Sequence, residues 1–94
     1  MNKKEFQIKL QNKKFEECID MLRTEIIEII SNKLKEKDYY FYYSTTNDLY
    51  NKSKKLLDNK YSKIAYELYS LDIIDEKEEY ILDELFQMYK EICE

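Results

Sequence analysis
Residues 13–37 read KKFEECIDMLRTEIIEIISNKLKEK, and this stretch decides the fold class. Phe15, Ile19, Leu22, Ile26 and Ile29 recur at spacings of four and three, the period that returns side chains to one face of an α-helix. Cys18, Ile30 and Leu34 widen the stripe to the breadth of a core-facing helix. Glu16, Glu17, Asp20, Glu28 and Lys35 take the opposite face. Ile27 falls outside the stripe and is expected to touch either a neighbouring element or a second chain. A helix over this stretch runs about 37 Å, long for so small a chain, and is expected to be its spine.

Immediately after it comes Asp38-Tyr39-Tyr40-Phe41-Tyr42-Tyr43. Five consecutive aromatics cannot all face one core, whether the backbone is helical or extended. Some must be exposed or reach another molecule. Tyrosine offers a large contact area at low entropic cost and is enriched at interfaces. Tyr39, Tyr40, Phe41, Tyr42, Tyr43 and Ile27 are therefore the candidate interaction residues. The competing expectation is that two or three of the rings cap the end of a bundle. A third is stacking on single-stranded nucleic acid, since Lys33, Lys35 and Lys37 stand beside the rings. Glu36 and Asp38 dilute that positive charge, so nucleic acid is not favoured.

Further along, Ser44-Thr45-Thr46-Asn47-Asp48 reads as a break and a helix start, with Thr45 (three residues before Asp48) or Thr46 as N-cap. The pattern predicts a helix over 47–58 with Leu49, Ser53, Leu56 and Leu57 inward. Asn59 is expected to end it in the left-handed conformation that Gly usually supplies. A third helix is predicted over 61–71, with Tyr61, Ile64, Ala65, Leu68 and Tyr69 or Leu71 inward. The pattern leaves open whether these two helices fuse through Asn59-Lys60. Asp72-Ile73-Ile74-Asp75 is the next break, with Asp75 and Glu78 as a capping pair. The last helix is predicted over 75–92. Ile81, Leu85, Met88 and Ile92 make one seam and Leu82, Phe86, Tyr89 and Cys93 another, so it packs on more than one side. In residues 1–12, Phe6, Ile8 and Leu10 alternate as in a strand, while Phe6 and Leu10 are also four apart as in a helix. With no second convincing strand to pair with, a helical or irregular, loosely packed arm is expected. The expected architecture is all-α: a single domain over 1–94, built as a small antiparallel bundle of three to five helices.

The composition narrows the chemistry. The chain of 94 residues contains no Gly, no Pro, no His and no Trp. Without Gly there is no phosphate-cradling loop and no dinucleotide fingerprint. Without His there is no Ser-His-Asp or Cys-His machinery and no His-liganded zinc. Cys18 and Cys93 are too few for an all-thiolate zinc site. Asp72, Asp75, Glu76 and Glu79 could gather round a hard cation, but they lack EF-hand spacing and helix capping accounts for Asp75 and Glu76. No cofactor, no metal and no enzymatic activity are expected, although carboxylates, Lys or Tyr could in principle serve a catalyst. A single Ala and a single Arg beside abundant Lys, Asn, Ile and Tyr are what an AT-rich genome produces. A helical bundle tolerates the loss of Gly and Pro, whereas a turn-rich β fold does not.

Hydrophobic residues at 44% suffice for one core, and charged residues at 38% mark a soluble surface. No apolar run is long enough for a membrane span or a signal peptide. Two cysteines without a framework pattern point to the reducing cytoplasm. Residues 1–63 carry 14 basic and 10 acidic side chains, while residues 64–94 carry only Lys77 and Lys90 against 10 acidic groups. The two parts are expected to neutralise each other within the bundle or across a dimer; the sharper reading is an acidic face for a basic partner. Lys52, Lys54, Lys55, Lys60 and Lys63, like Lys3, Lys4, Lys9, Lys13 and Lys14, are expected to form solvated faces.

Residues 55–66, KLLDNKYSKIAY, resemble a helix–turn–helix of HEPN-type bundles, in which a leucine pair (here Leu56 and Leu57) precedes a tyrosine (Tyr61) and an alanine (Ala65). The likeness covers about an eighth of the chain. It implies a helical hairpin and no activity, because HEPN ribonucleases rely on an Arg and a His a few residues apart, and His is absent here. The functional expectation is a non-catalytic protein-interaction module, self-associating as a homodimer or binding another protein, with a nucleic-acid accessory role as the alternative.

Overall fold
A computed structural model of the chain describes residues 1–93. Its five helices are α1 (Lys3–Gln11), α2 (Phe15–Lys37), α3 (Thr46–Leu56), α4 (Asn59–Ile73) and α5 (Glu78–Cys93). Among the described residues there is no strand, and the fold class is all-α as the hydrophobic spacing predicts. The chain divides into two compact units, one of residues Met1–Ile26 with the segment from Asp75 onward, the other Ile27–Ile74. Helix α2 contributes its first half to one and its second half to the other.

The first unit opens with α1, which settles the ambiguous N-terminal pattern as helix. Asn2 caps it, its side-chain oxygen accepting the Glu5 N–H at 3.0 Å. Phe6 is buried and Ile8 is exposed, so the strand-like alternation at 6, 8 and 10 was incidental to a helix that buries one ring. The Phe6 ring lies 6.0 Å from that of Phe86 on α5. The Cys18 thiol of α2 donates to the Phe6 carbonyl at 3.9 Å, and burial pushes that thiol above its ordinary pKa. Cys18 is thus a buried side chain that ties α1 to α2. Lys9 and Glu17 add a hydrogen-bonded ion pair at 2.9 Å across the same junction. Leu22, Ile26, Leu82, Leu85, Met88 and Ile92 are the other large buried aliphatics of this unit. On α5 both seams contribute: Leu85, Met88 and Ile92 from one and Leu82 from the other are buried, while Cys93 is exposed.

Joining α1 to α2 requires a sharp reversal, made without glycine. The Lys13 N–H bonds the Leu10 carbonyl at 3.0 Å and the Lys14 N–H bonds the Lys9 carbonyl at 2.9 Å. This paired closure needs a left-handed residue in the middle, and Lys13 supplies it with φ 57°. A side chain with a Cβ is strained there.

The second unit is built on the hairpin of α3 and α4, which pack against each other. At its open end the Thr46 hydroxyl, at the start of α3, donates to an Asp72 carboxylate oxygen near the end of α4 at 2.7 Å, so the pair runs antiparallel. The two helices are separate, and the Asn59 expectation is corrected. Leu57 and Asp58 make the break in extended conformation, and Asn59 is the first residue of α4. With both connector residues extended, no left-handed residue is needed. Leu49 and Ser53 face inward as expected; Leu56 is exposed and Leu57 half-buried, because both sit at the reversal where the buried stripe of α3 runs out. Buried Ser53 bonds its own helix, donating to the Leu49 carbonyl at 2.7 Å. Ile64, Ala65 and Leu68 of α4 and Ile27, Ile30 and Leu34 of α2 are buried too.

The capping role expected of Asp75 is also corrected. The Lys77 carbonyl accepts the first bond of α5, from Ile81 N–H at 3.1 Å, so the helix starts two residues later than Asp75 could cap. Glu78 and Glu79 provide the acidic first turn that favours the positive helix end.

Replacing Lys13 with Gly removes the left-handed strain while keeping the reversal. Lys13→Gly is expected to stabilise the protein by about 0.5–1 kcal/mol, read as a higher midpoint in thermal or urea unfolding.

Candidate functional site
The aromatic run lies between α2 and α3, and its geometry begins at Asp38. The Asp38 N–H makes the closing bond of α2, to the Leu34 carbonyl at 2.8 Å. Its carbonyl then accepts the Phe41 N–H at 3.0 Å, and its carboxylate accepts the Tyr40 N–H at 3.2 Å. One residue therefore closes the helix and folds residues 38–41 into a tight turn, its backbone making two of the bonds and its short carboxylate the third. The turn presents Tyr39 and Tyr40 outward. Beyond it, residues 41–43 are neither helix nor strand, and burial alternates along them.

This partition resolves the five-aromatic problem. Phe41 is buried and Tyr43 half-buried, their rings stacked at 6.0 Å and 16°. Tyr39, Tyr40 and Tyr42 are 84%, 87% and 78% exposed. The Tyr39 and Tyr40 rings meet edge to face at 5.2 Å, the arrangement that the ring quadrupoles favour. Ile27 is buried within the chain, so of its two expected neighbours it has the intramolecular one. The surface that remains is the three outward tyrosines, with Phe41 and Tyr43 as its anchor.

The far end of the loop is fixed by the start of α3. Thr45 is the N-cap, its hydroxyl oxygen accepting the Asp48 N–H at 3.2 Å. The Asp48 carboxylate accepts in return from the Ser44 hydroxyl at 2.8 Å and the Ser44 N–H at 3.3 Å. The hydroxyl bond, then the backbone bond, hold the Asp48 carboxyl below its ordinary range. Both ends of the tyrosine loop are thereby tied by hydrogen bonds.

The second unit holds two further aromatic groups, of whose rings only Tyr61 is expected from the sequence, as an inward helix residue. The Tyr61 ring has the Lys33 and Lys60 ammonium groups each 5.8 Å from its centroid. Tyr50 and Tyr66 meet edge to face at 5.2 Å across the α3–α4 hairpin, with Lys54 5.5 Å from the Tyr50 ring. The spacing of Tyr50 and Lys54 by four was a usable signal. The meeting of Tyr50 with Tyr66, or of Lys33 with Tyr61, exists only once the chain is folded. The lysines do not build a strongly cationic surface: Ile27–Ile74 carries eight lysines against seven carboxylates. Among the described residues no group of His, Cys, Asp and Glu could hold a metal ion, and no helix is long and apolar enough to cross a membrane. Comparison with protein families, with curated proteins and with solved structures found no match.

Two measurements test this surface. Tyr40→Ser with Tyr42→Ser is expected to leave the unfolding free energy within about 0.5 kcal/mol, whereas Phe41→Ala costs about 3 kcal/mol. The depressed Asp48 pKa means that the bonded carboxylate stabilises the loop above the unfolded-state pKa. That contribution is lost as pH falls through the lower folded value. Ser44 amide exchange, corrected for its intrinsic pH dependence, is expected to lose protection over that acid window, and Asp48→Asn to abolish the pH dependence.

Proposed function
We propose that this chain is a small, non-catalytic protein-interaction module that self-associates through Tyr39, Tyr40 and Tyr42. The observation that carries the reading is three neighbouring tyrosines, each more than three-quarters exposed, on a loop tied at both ends. An exposed aromatic cluster on a fixed backbone loses little entropy on binding, which is why such residues dominate interface energetics. A second copy suits the patch chemically. A phenol both donates and accepts a hydrogen bond, and aromatic edges pair with aromatic faces, so the patch complements itself across a two-fold axis. Lys37 and Asp38 beside it are of opposite charge and can pair across the same axis.

Size sets the strength. Three tyrosines burying about 150–200 Å² each amount to roughly 1,000 Å² over both protomers, the low end for specific interfaces. The association is therefore weak and concentration-dependent, in the micromolar range. Near balance of charge in Ile27–Ile74 supports a protein partner over a polyanion.

Light scattering behind size-exclusion chromatography, at two concentrations about tenfold apart, tests the proposal. The mass is expected to rise towards that of a dimer at the higher concentration, and the Tyr40→Ser, Tyr42→Ser variant to remain monomeric throughout. A wild-type monomer at both concentrations, or a variant that associates equally well, removes it. Retention of single-stranded probes at low salt, lost steeply as salt rises, would transfer the surface to the nucleic-acid reading.

A further inference from the structure
Within the first compact unit, α1, the first half of α2 and α5 enclose a groove remote in function from the tyrosine turn. Its volume is about 430 Å³, within the range of small-molecule sites. Leu10 of α1 and Phe86 of α5, both half-buried, with the buried Phe6 and Leu22, make its lining predominantly apolar. The charged side chains among its described lining are Lys3 and Lys90, both exposed. The Lys90 ammonium lies 5.1 Å from the centroid of the Phe86 ring, which places a cation at the edge of the apolar surface. Neither lysine forms an ion pair with a described carboxylate, although acidic side chains outnumber basic ones in this unit.

We infer that this groove binds a medium-chain fatty acid, its alkyl chain lying along Leu10 and Phe86 and its carboxylate held by Lys3 and Lys90. Gln7, Tyr89 and Cys93 are the neutral polar side chains of the lining, and the Met1 ammonium there is already paired with Glu25 at 3.1 Å, so the charged end of a ligand is left to the exposed lysines. An alkyl chain makes no hydrogen-bonding demand and gains from every methylene it buries. Two ammonium groups at one apolar groove are complementary to a single carboxylate on an aliphatic tail, and opposed to a cationic amphiphile.

The test is titration of the 94-residue chain with octanoate, decanoate and dodecanoate below their micelle concentrations, followed by calorimetry and by amide shifts in NMR. Saturable one-to-one binding is expected, with shifts centred on Leu10 and Phe86. Affinity should tighten by roughly fourfold per added methylene until the groove is filled. Dodecyltrimethylammonium should not bind there. Lys3→Glu with Lys90→Glu, two exposed positions, should keep the thermal midpoint and weaken dodecanoate by about tenfold or more. The Tyr40→Ser, Tyr42→Ser variant should bind dodecanoate as the wild type does, which separates this site from self-association. No saturable binding, equal affinity for the cationic amphiphile, or unchanged affinity in the charge-reversed variant would overturn the inference. Concentration-dependent shifts of the groove amides without ligand would overturn it too, by assigning the groove to a second copy.

Discussion
Burial of one winding side of α2 is the constraint on which the rest of the structure depends. Cys18, Leu22, Ile26, Ile30 and Leu34 are fully buried and recur every four residues. Four residues turn an α-helix by about 40° more than a full revolution, so the buried side drifts steadily around the axis. Ile27 and Ser31 join it in the second half of the helix. Burying one such aliphatic side chain contributes about 1.5–3 kcal/mol, against a few tenths for the helix propensity of a typical residue. Each compact unit takes its share of α2 from its own stretch of the helix, the division falling between Ile26 and Ile27.

A chain without glycine or proline must reverse direction by other means, and it uses a different one each time. The reversal after α1 forces Lys13 into left-handed backbone. The end of α2 relies on the Asp38 carboxylate and carbonyl, which between them take up the amides of Tyr40 and Phe41. The start of α3 is closed by Thr45 and Asp48 bonding in both directions. Between α3 and α4 two extended residues suffice. Only the first of these is strained, because the others place the reversal at residues with ordinary negative φ.

The same economy positions the tyrosines. Asp38 terminates the helix and turns the chain, so the outward direction of Tyr39 and Tyr40 follows from the bond that ends α2. Phe41 is buried and stacks on half-buried Tyr43, while Tyr42 between them is exposed. Three exposed tyrosines thus flank, in sequence, a stacked pair of which Phe41 is buried. The groove beside Phe6 and Phe86 is built on other principles: apolar walls from three helices and cations supplied by long, flexible side chains.

Local order was legible in the sequence. The apolar spacing of α2 and α5, the Thr45 cap and the breaks on either side of the α3–α4 hairpin were readable because each is set by residues within one or two turns of one another. What the sequence could not fix were quantities set by neighbours distant in the chain. Asn59 looked like a helix end and proved to be a helix start, because two extended residues serve as well as one left-handed residue. Ile27 lay off the stripe, and only the winding of the buried side of α2 gave it cover. Above all, the aromatic run showed that five rings could not be hidden together. Which were hidden depended on the turn at Asp38 and on the packing of Phe41, and packing is decided by tertiary structure because burial is a property of the folded surface and not of any residue alone.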